Sequence, residues 1–110
     1  MQKPLYLLIC FGCFLSVNFF SHRAKAQQNN AETAKQLVEI ADEVYANNSK
    51  RPANEQYVQA VQFDPNNLRA NYMAGITYLE TIHRYRALPY LNKAYELDPN
   101  VSSDILFLIG

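Results

Sequence analysis

Few residues in this chain have the types and spacing needed for catalysis or metal binding. It contains two cysteines, Cys10 and Cys13, and two histidines, His22 and His83. The cysteines have the C-x-x-C spacing of a redox or zinc motif, but both lie inside an apolar run near the N-terminus. His83 is the only one of the four residues outside the first 22 positions, so it lacks partners for a zinc site of usual composition.

Oxygen ligands are also poorly arranged. Asp98, Asn100 and Asp104 loosely resemble an oxygen-rich calcium loop, but the glycine and the terminal glutamate of that loop are missing. The adjacent carboxylates of Asp42 and Glu43 belong to a predicted polar helix face, where solvation explains them. A glycine-rich phosphate loop is absent from the sequence. We therefore predict neither an enzyme nor a metal or cofactor site.

Residues 1–26 have the pattern of a secretory signal peptide. Lys3 precedes an apolar run of about 16 residues, and Ala24, Lys25 and Ala26 form a small-x-small cleavage pattern ahead of Gln27. The alternative is an uncleaved anchor, although a bilayer span usually needs about 20 apolar residues. We expect export, with the membrane contacted only through this segment before cleavage. The remaining chain would carry no cysteine and therefore no disulfide.

The formal charge of the whole chain is zero, but its ends differ in charge. From Gln27 onward there are ten acidic and seven basic residues, a net charge of −3. A nucleic-acid-binding protein needs a strongly basic face to neutralise phosphates. We therefore expect no nucleic-acid partner.

A repeat is present in the second half of the chain. The stretch FDPNN at 63–67 recurs as LDPNV at 97–101, an offset of 34 residues. A fixed period of this length indicates stacked structural repeats. Seven positions match at this offset: Ala53 with Ala87, Tyr57 with Leu91, Ala60 with Ala94, Phe63 with Leu97, Asp64 with Asp98, Pro65 with Pro99 and Asn66 with Asn100.

Each period predicts two helices, because apolar residues recur at helical spacing on both sides of a polar loop. Asn29 or Asn30 is expected to cap the first helix, and Pro52 to lie where the second begins. Proline disfavours helical geometry at the preceding residue, so Pro65 should end that helix. The predicted divisions are a polar lead-in at 27–33, repeats at 34–67 and 68–101, and an incomplete third repeat at 102–110. With little to cover them, the apolar residues 105–109 are expected to be exposed.

These residues resemble the tetratricopeptide repeat, a 34-residue helix–turn–helix unit. The small residue, the tyrosine, the two alanines and the proline of its signature correspond to Gly75, Tyr78, Ala87, Ala94 and Pro99. The common tryptophan is absent, since Leu37 and Asn71 occupy its place. The resemblance covers about residues 31–101. It implies an all-α fold of antiparallel helix pairs.

The same resemblance implies a groove lined by the first helix of each pair, which would bind a protein or peptide by burying its apolar side chains. Alternatively, Val38, Tyr72 and Ile76 simply pack against a neighbouring repeat. The groove positions, called the first-helix groove below, are Lys35, Val38, Asp42, Tyr45, Arg69, Tyr72, Ile76 and Leu79.

An export signal followed by such repeats is also similar to the start of larger Gram-negative envelope proteins. Those proteins carry a β-propeller and a peptidoglycan-binding domain similar to outer membrane protein A, and some are linked to secretion. This similarity implies the periplasm or the periplasmic face of the outer membrane. It leaves open a structural role, in which this fragment only braces a larger protein that contacts peptidoglycan or outer-membrane complexes through downstream domains.

Overall fold

The computed structural model describes the backbone of residues 3–110 and the side chains of residues 25–110. Within these residues the fold is all-α and contains no strand, as the sequence predicts. A short 3-10 helix, Arg84–Arg86, precedes the fourth α-helix. The α-helices are α1 Lys3–Ala46, α2 Lys50–Phe63, α3 Leu68–Leu79, α4 Ala87–Leu97 and α5 Ile105–Ile109.

Helix α1 contains the polar residues 27–33 that the sequence placed in a lead-in. Asn29 and Asn30 therefore lie inside the helix, and the prediction that either residue caps it is wrong. Thr33 Oγ1 donates a hydrogen bond to the Asn29 carbonyl one turn earlier, at 2.8 Å. The stretch contains neither proline nor glycine, and its glutamines and alanine have good helix propensity, so nothing interrupts the helix.

Most of the predicted signal peptide falls in residues 1–24, outside the side chains that the structure describes. Of the predicted cleavage residues, Ala26 and Gln27 are exposed on α1, and Ala24 belongs to that undescribed part. Across the described portion of the chain, no helix combines the length and the apolar character needed to cross a membrane.

A Schellman motif ends α1 and reverses the chain into α2. Asn48 adopts a left-handed conformation with φ of 64°, which asparagine tolerates better than most residues. Its N–H donates to the Tyr45 carbonyl at 3.0 Å, and the Ser49 N–H donates to the Val44 carbonyl at 3.2 Å. Only residues 47–49 join the two helices, so α1 and α2 pack as a helical hairpin. Pro52 lies in the first turn of α2, where its missing N–H is not needed.

The two Asp-Pro-Asn turns have the same geometry. Asp64 ends α2 with φ −138° and ψ 95°, and Asp98 ends α4 with φ −154° and ψ 103°. In each turn the aspartate carboxylate accepts a hydrogen bond from the second following N–H, at 3.1 Å from Asn66 and 2.9 Å from Asn100. Extended geometry before proline is the expected cause of both helix ends.

The segments that follow the two Asp-Pro-Asn turns differ in how the next helix begins. Asn67 caps α3, since its Oδ1 accepts from the Ala70 N–H at 2.9 Å. Val101 occupies the equivalent place and has no oxygen to offer, and α5 begins only at Ile105. Ile105 is buried with 2% exposure, and Leu108 and Ile109 are half-buried against the same core, so the expectation that all of 105–109 is exposed is wrong for these three residues. Leu106 and Phe107 are 63% and 87% exposed.

The buried cores of the two helix pairs repeat at the same offset. Consecutive helices pack on each other from α1 to α5, an arrangement compatible with a helical repeat. Asn71 on α3 is buried, and its Nδ2 donates to the carbonyls of Pro65 and Asn67. It thus ties α3 to the preceding turn. The equivalent residues buried in both pairs are Ala53 and Ala87, Tyr57 and Leu91, and Ala60 and Ala94.

The second pair begins its second helix differently from the first. Residues 84–86 form a 3-10 turn, whereas the equivalent residues 50–52 are α-helical. Pro89 is the third residue of α4, where no intrahelical N–H is required. If the α-helix began at Arg84, Pro89 would lie beyond its first turn and its ring would clash with the Tyr85 carbonyl. The proline therefore explains why the α-helix starts three residues late.

Candidate functional site

The first-helix groove residues lie on two helices that belong to successive pairs. Lys35, Val38, Asp42 and Tyr45 are on α1, and Arg69, Tyr72, Ile76 and Leu79 are on α3. The structure brings several of these residues together, but it uses them in different ways. Three take part in polar contacts between the helix pairs, one is buried, three are half-buried and one is exposed.

Asp42 and Arg69 form a bidentate ion pair between α1 and α3. Arg69 Nε lies 2.9 Å from Asp42 Oδ2, and the Arg69 terminal nitrogen lies 2.9 Å from Oδ1. The guanidinium presents parallel N–H groups that match the two carboxylate oxygens. Their side chains are 33% and 56% exposed, so the pair borders solvent.

Tyr57 on α2 joins the same cluster. Its hydroxyl donates a short hydrogen bond to Asp42 Oδ1, so α1, α2 and α3 meet at one carboxylate. Burial raises the pKa of Asp42, but hydrogen bonds from Arg69 and Tyr57 together with the Arg69 charge outweigh it and lower the pKa overall. Burial and the hydrogen bond to Asp42 raise the pKa of Tyr57. The hydrogen bond to Asp42 also raises the pKa of Arg69.

A second polar contact lies one turn further along α1. The Tyr45 hydroxyl donates to Glu80 Oε1 at 3.1 Å, just beyond the end of α3. Lys50 Nζ, at the start of α2, lies 3.7 Å from the same carboxylate oxygen. Burial and the bond to Glu80 raise the pKa of Tyr45. Asp42, Tyr45 and Arg69 are thus already engaged in contacts between the two pairs.

The apolar members of the first-helix groove divide between core and surface. Val38 is 6% exposed and packs in the same core cluster as Ala41 and Tyr57, which is the packing alternative left open by the sequence. Tyr72, Ile76 and Leu79 are half-buried. Lys35 is exposed. Fewer than eight of the predicted groove residues therefore remain open to a partner.

Two open pockets border these residues. The first, about 420 Å³, is lined by Asn67, Leu68, Arg69, Tyr72 and Val101. It includes two predicted groove residues, Arg69 and Tyr72.

The second pocket, about 530 Å³, lies between the start of α2 and the segment after α3, and the groove prediction did not include it. Its basic lining residues come from two segments more than 30 residues apart, Lys50 and Arg51 on α2 and Arg86 after α3, and no local sequence pattern shows that these segments meet. Its lining residues are Lys50, Arg51, Asn54, Glu55, Tyr78, Glu80, Thr81, Ile82, His83 and Arg86.

Among residues 25–110, no group of three histidine, cysteine, aspartate or glutamate side chains is placed to hold a metal ion. The groups brought together are instead a carboxylate–guanidinium pair with a phenol, and a carboxylate with a phenol and an amine. Such arrangements can hold helices in register and contact polar groups of a partner. No protein-family model matches the chain, and a search of curated proteins finds none similar to it in sequence.

Proposed function

We propose that the chain is an exported tetratricopeptide-repeat module that binds a protein or peptide partner noncovalently in the cell envelope. Support for the repeat assignment comes from the 34-residue offset in buried positions and from the matching turns at Asp64 and Asp98. Helix pairs that stack in this way present a continuous surface formed by their first helices.

The observation that carries the binding proposal is the open pocket beside Arg69 and Tyr72. It is lined by the start of α3 and by Val101, so it lies between the first helix of the second pair and the segment that follows that pair. Half-buried Tyr72 supplies aromatic surface, and Leu68 and Val101 supply aliphatic surface. A rigid aromatic side chain with a nearby arginine is the usual composition of a binding hot spot. An apolar side chain of a peptide or helix fits this surface.

Site-specific photo-crosslinking tests the proposal. A photoreactive phenylalanine derivative is placed at Lys35 or Ile76 in the first-helix groove, and at Gln59 on the exposed face of α2 as the matched control. In cells that carry the gene, we expect a discrete crosslinked partner from the groove positions and none from Gln59. Equal crosslinking from all three positions, or no partner from any of them, would contradict the proposal.

A second candidate function is structural bracing within a larger envelope protein that contacts peptidoglycan or outer-membrane complexes. The observation that favours it is the mutual engagement of Asp42, Arg69 and Tyr57, which uses groove polar groups to join helix pairs. If the repeats serve only as a structural brace, the same experiment should give crosslinks within the protein that contains them and none to a separate partner protein.

Export is a separate part of the proposal and rests on residues 1–26. Alkaline phosphatase is active only after translocation, so a fusion at Gly110 is expected to be active in Gram-negative cells. Deletion of residues 4–20 should abolish that activity, because it removes most of the apolar run. Equal phosphatase activity with and without the run would refute export through this segment.

A further inference from the structure

The segment between α3 and α4 displays two large apolar side chains to solvent. Ile82 is 90% exposed and Tyr85 is 71% exposed. A single exposed apolar residue is ordinary, but two of them on one short segment beside an open pocket give a partner an apolar surface to contact.

Hydrogen bonds hold this segment in a defined shape. Thr81 Oγ1 donates to the Tyr78 carbonyl at 2.8 Å, and the His83 N–H donates to Thr81 Oγ1 at 3.1 Å. The Arg86 N–H then donates to the His83 carbonyl at 2.9 Å, which closes the 3-10 turn. Because the backbone is already ordered, less conformational entropy is lost when a partner contacts Ile82.

Tyr85 is held between two neighbours. The Arg86 guanidinium lies 5.7 Å from the centre of its ring, within the range of a cation–π contact. The His83 ring meets it edge-on, with the ring centres 6.1 Å apart. The exposed ring is thus oriented before any partner arrives.

Basic residues are concentrated around the same segment. Four of the seven basic residues after position 26 are Lys50, Arg51, Arg84 and Arg86, which we call the basic corner. Among the described side chains, Lys50 pairs with Glu80, while none of the three arginines forms an ion pair. The rest of the chain from Gln27 onward has ten acidic residues and only three basic ones, so positive charge is concentrated in this corner.

The pocket of about 530 Å³ links the basic corner to the apolar side chains. Lys50, Arg51 and Arg86 line it together with Ile82, and Tyr78 adds aromatic surface. Glu55 is one of two acidic lining residues, and the other, Glu80, already accepts contacts from Tyr45 and Lys50. An acidic group entering the pocket would therefore meet two arginines and an apolar edge.

We propose that the basic corner, with Ile82 and Tyr85, docks an acidic segment of a partner protein that carries an apolar side chain among its carboxylates. This proposal rests on the proposed function, that the chain binds a protein partner, and adds a surface outside the first-helix groove. Charge complementarity selects the carboxylates, and Ile82 with Tyr85 contacts the apolar side chain. Nucleic acid is a poorer occupant because the rest of the surface is acidic and repels a phosphate polymer.

Fluorescence anisotropy with the full chain tests the docking surface directly. The probe is a fluorescein-labelled peptide of alternating Glu-Glu-Leu units, and its matched control replaces every glutamate by glutamine. We expect the acidic peptide to bind and the glutamine peptide not to bind. Arg84→Ala with Arg86→Ala should weaken binding about tenfold, and Ile82→Ser about fivefold. Lys93→Ala, which removes a cation on α4 outside the basic corner and the first-helix groove, should leave binding unchanged.

Three outcomes would overturn the docking proposal. One is equal binding of the glutamine peptide, and another is binding that none of the corner substitutions weakens. The third is Ile82-dependent binding to phosphatidylglycerol vesicles without peptide binding, which would assign the corner to a membrane surface. Circular dichroism confirms that each variant is folded.

The experiments distinguish failure of the docking proposal at the basic corner from failure of the first-helix groove proposal. If crosslinking from Ile76 still finds a partner while the corner is inert toward the acidic peptide, only the docking proposal fails. If crosslinking finds no partner and the corner still binds the peptide, the first-helix groove proposal fails alone.

Discussion

A Cβ atom on Gly75 would lie 2.5 Å from Cδ2 and 2.6 Å from Cγ of Leu91, closer than such atoms approach in folded proteins. The absence of a side chain at Gly75 therefore sets how closely α3 and α4 pack. Leu91 is only 1% exposed, so its side chain has little room to move.

Gly75→Ala is expected to destabilise the chain despite the better helix propensity of alanine. The propensity gain is about 1 kcal/mol, whereas overpacking costs about 1–3 kcal/mol. We expect the free energy of unfolding in urea to fall by about 1 kcal/mol. In a Leu91→Ala background the same substitution should be neutral or stabilising, because the obstructing atoms are gone. A loss of stability that is unchanged in that background would contradict the packing explanation.

Asp42→Asn tests the ion pair through its pH dependence. The folded-state pKa of Asp42 is lowered, so its contribution to stability is present at neutral pH and is lost as pH falls through that lowered pKa. The variant should be about 1 kcal/mol less stable at pH 7 and should lose less stability between neutral and acidic pH. Urea unfolding at several pH values measures both effects. Glu39→Gln, at an exposed position on the same helix, is the control.

Tyr57→Phe tests the hydroxyl that joins α2 to Asp42. Loss of one hydrogen bond to a charged group should cost about 1–2 kcal/mol while the buried ring remains in place. The pKa of Tyr57 is raised, so this phenol should ionise late, above the ordinary tyrosine range, and its contribution to stability should be lost as pH rises from that range through the raised pKa. Ultraviolet titration follows the ionisation. In Asp42→Asn the late transition should move to lower pH; an unmoved transition would show that Asp42 does not cause it.

Thr77→Val tests a buried polar contact between α2 and α3. Asn54 Nδ2 donates to Thr77 Oγ1 at 2.9 Å, and Thr77 is fully buried. Removing the acceptor leaves a buried amide poorly paired and should cost about 1–3 kcal/mol. Asn54→Leu added to Thr77→Val should recover most of that loss, since both polar partners are then replaced by apolar groups. Additive destabilisation in chemical unfolding of the double variant would disprove this coupling.

The helix ends and much of the core could be predicted because their causes are local. Pro65 and Pro99 dictate the backbone of the residues before them, and the turns at Asp64 and Asp98 follow. The buried residues of α2 and α4 follow from helical spacing and the 34-residue offset. These features depend on residues a few positions apart.

The features that could not be predicted are contacts between residues far apart in the sequence, which depend on how separate helices are placed. Asp42 and Arg69 are 27 residues apart, and nothing in either local stretch shows that their side chains meet. The same holds for Tyr45 and Glu80, 35 residues apart. The groove prediction therefore included charged positions without showing that they pair with each other. The predicted start of α1 at Asn29 or Asn30 is wrong because asparagine favours a helix N-cap only where the preceding residues leave the helix, and no helix breaker precedes these two.

The contact between Asn54 and Thr77 also bears on how copies of the chain can assemble. At the offset of 34, the position of Asn54 corresponds to Leu88 on α4, which is 46% exposed, and that of Thr77 corresponds to Glu43 on α1, which is exposed. Since α5 packs on α4, a second copy could place its α1 on α4, as α3 stacks on α2, only by displacing α5, and a carboxylate would then be buried against leucine without a partner, at a high desolvation cost. Stacking of α1 of one copy on α4 of another, and with it head-to-tail growth into fibres, is therefore disfavoured. Glu43→Thr with Leu88→Asn should lower that barrier, and sedimentation velocity should then show more concentration-dependent self-association for the variant than for the parent chain.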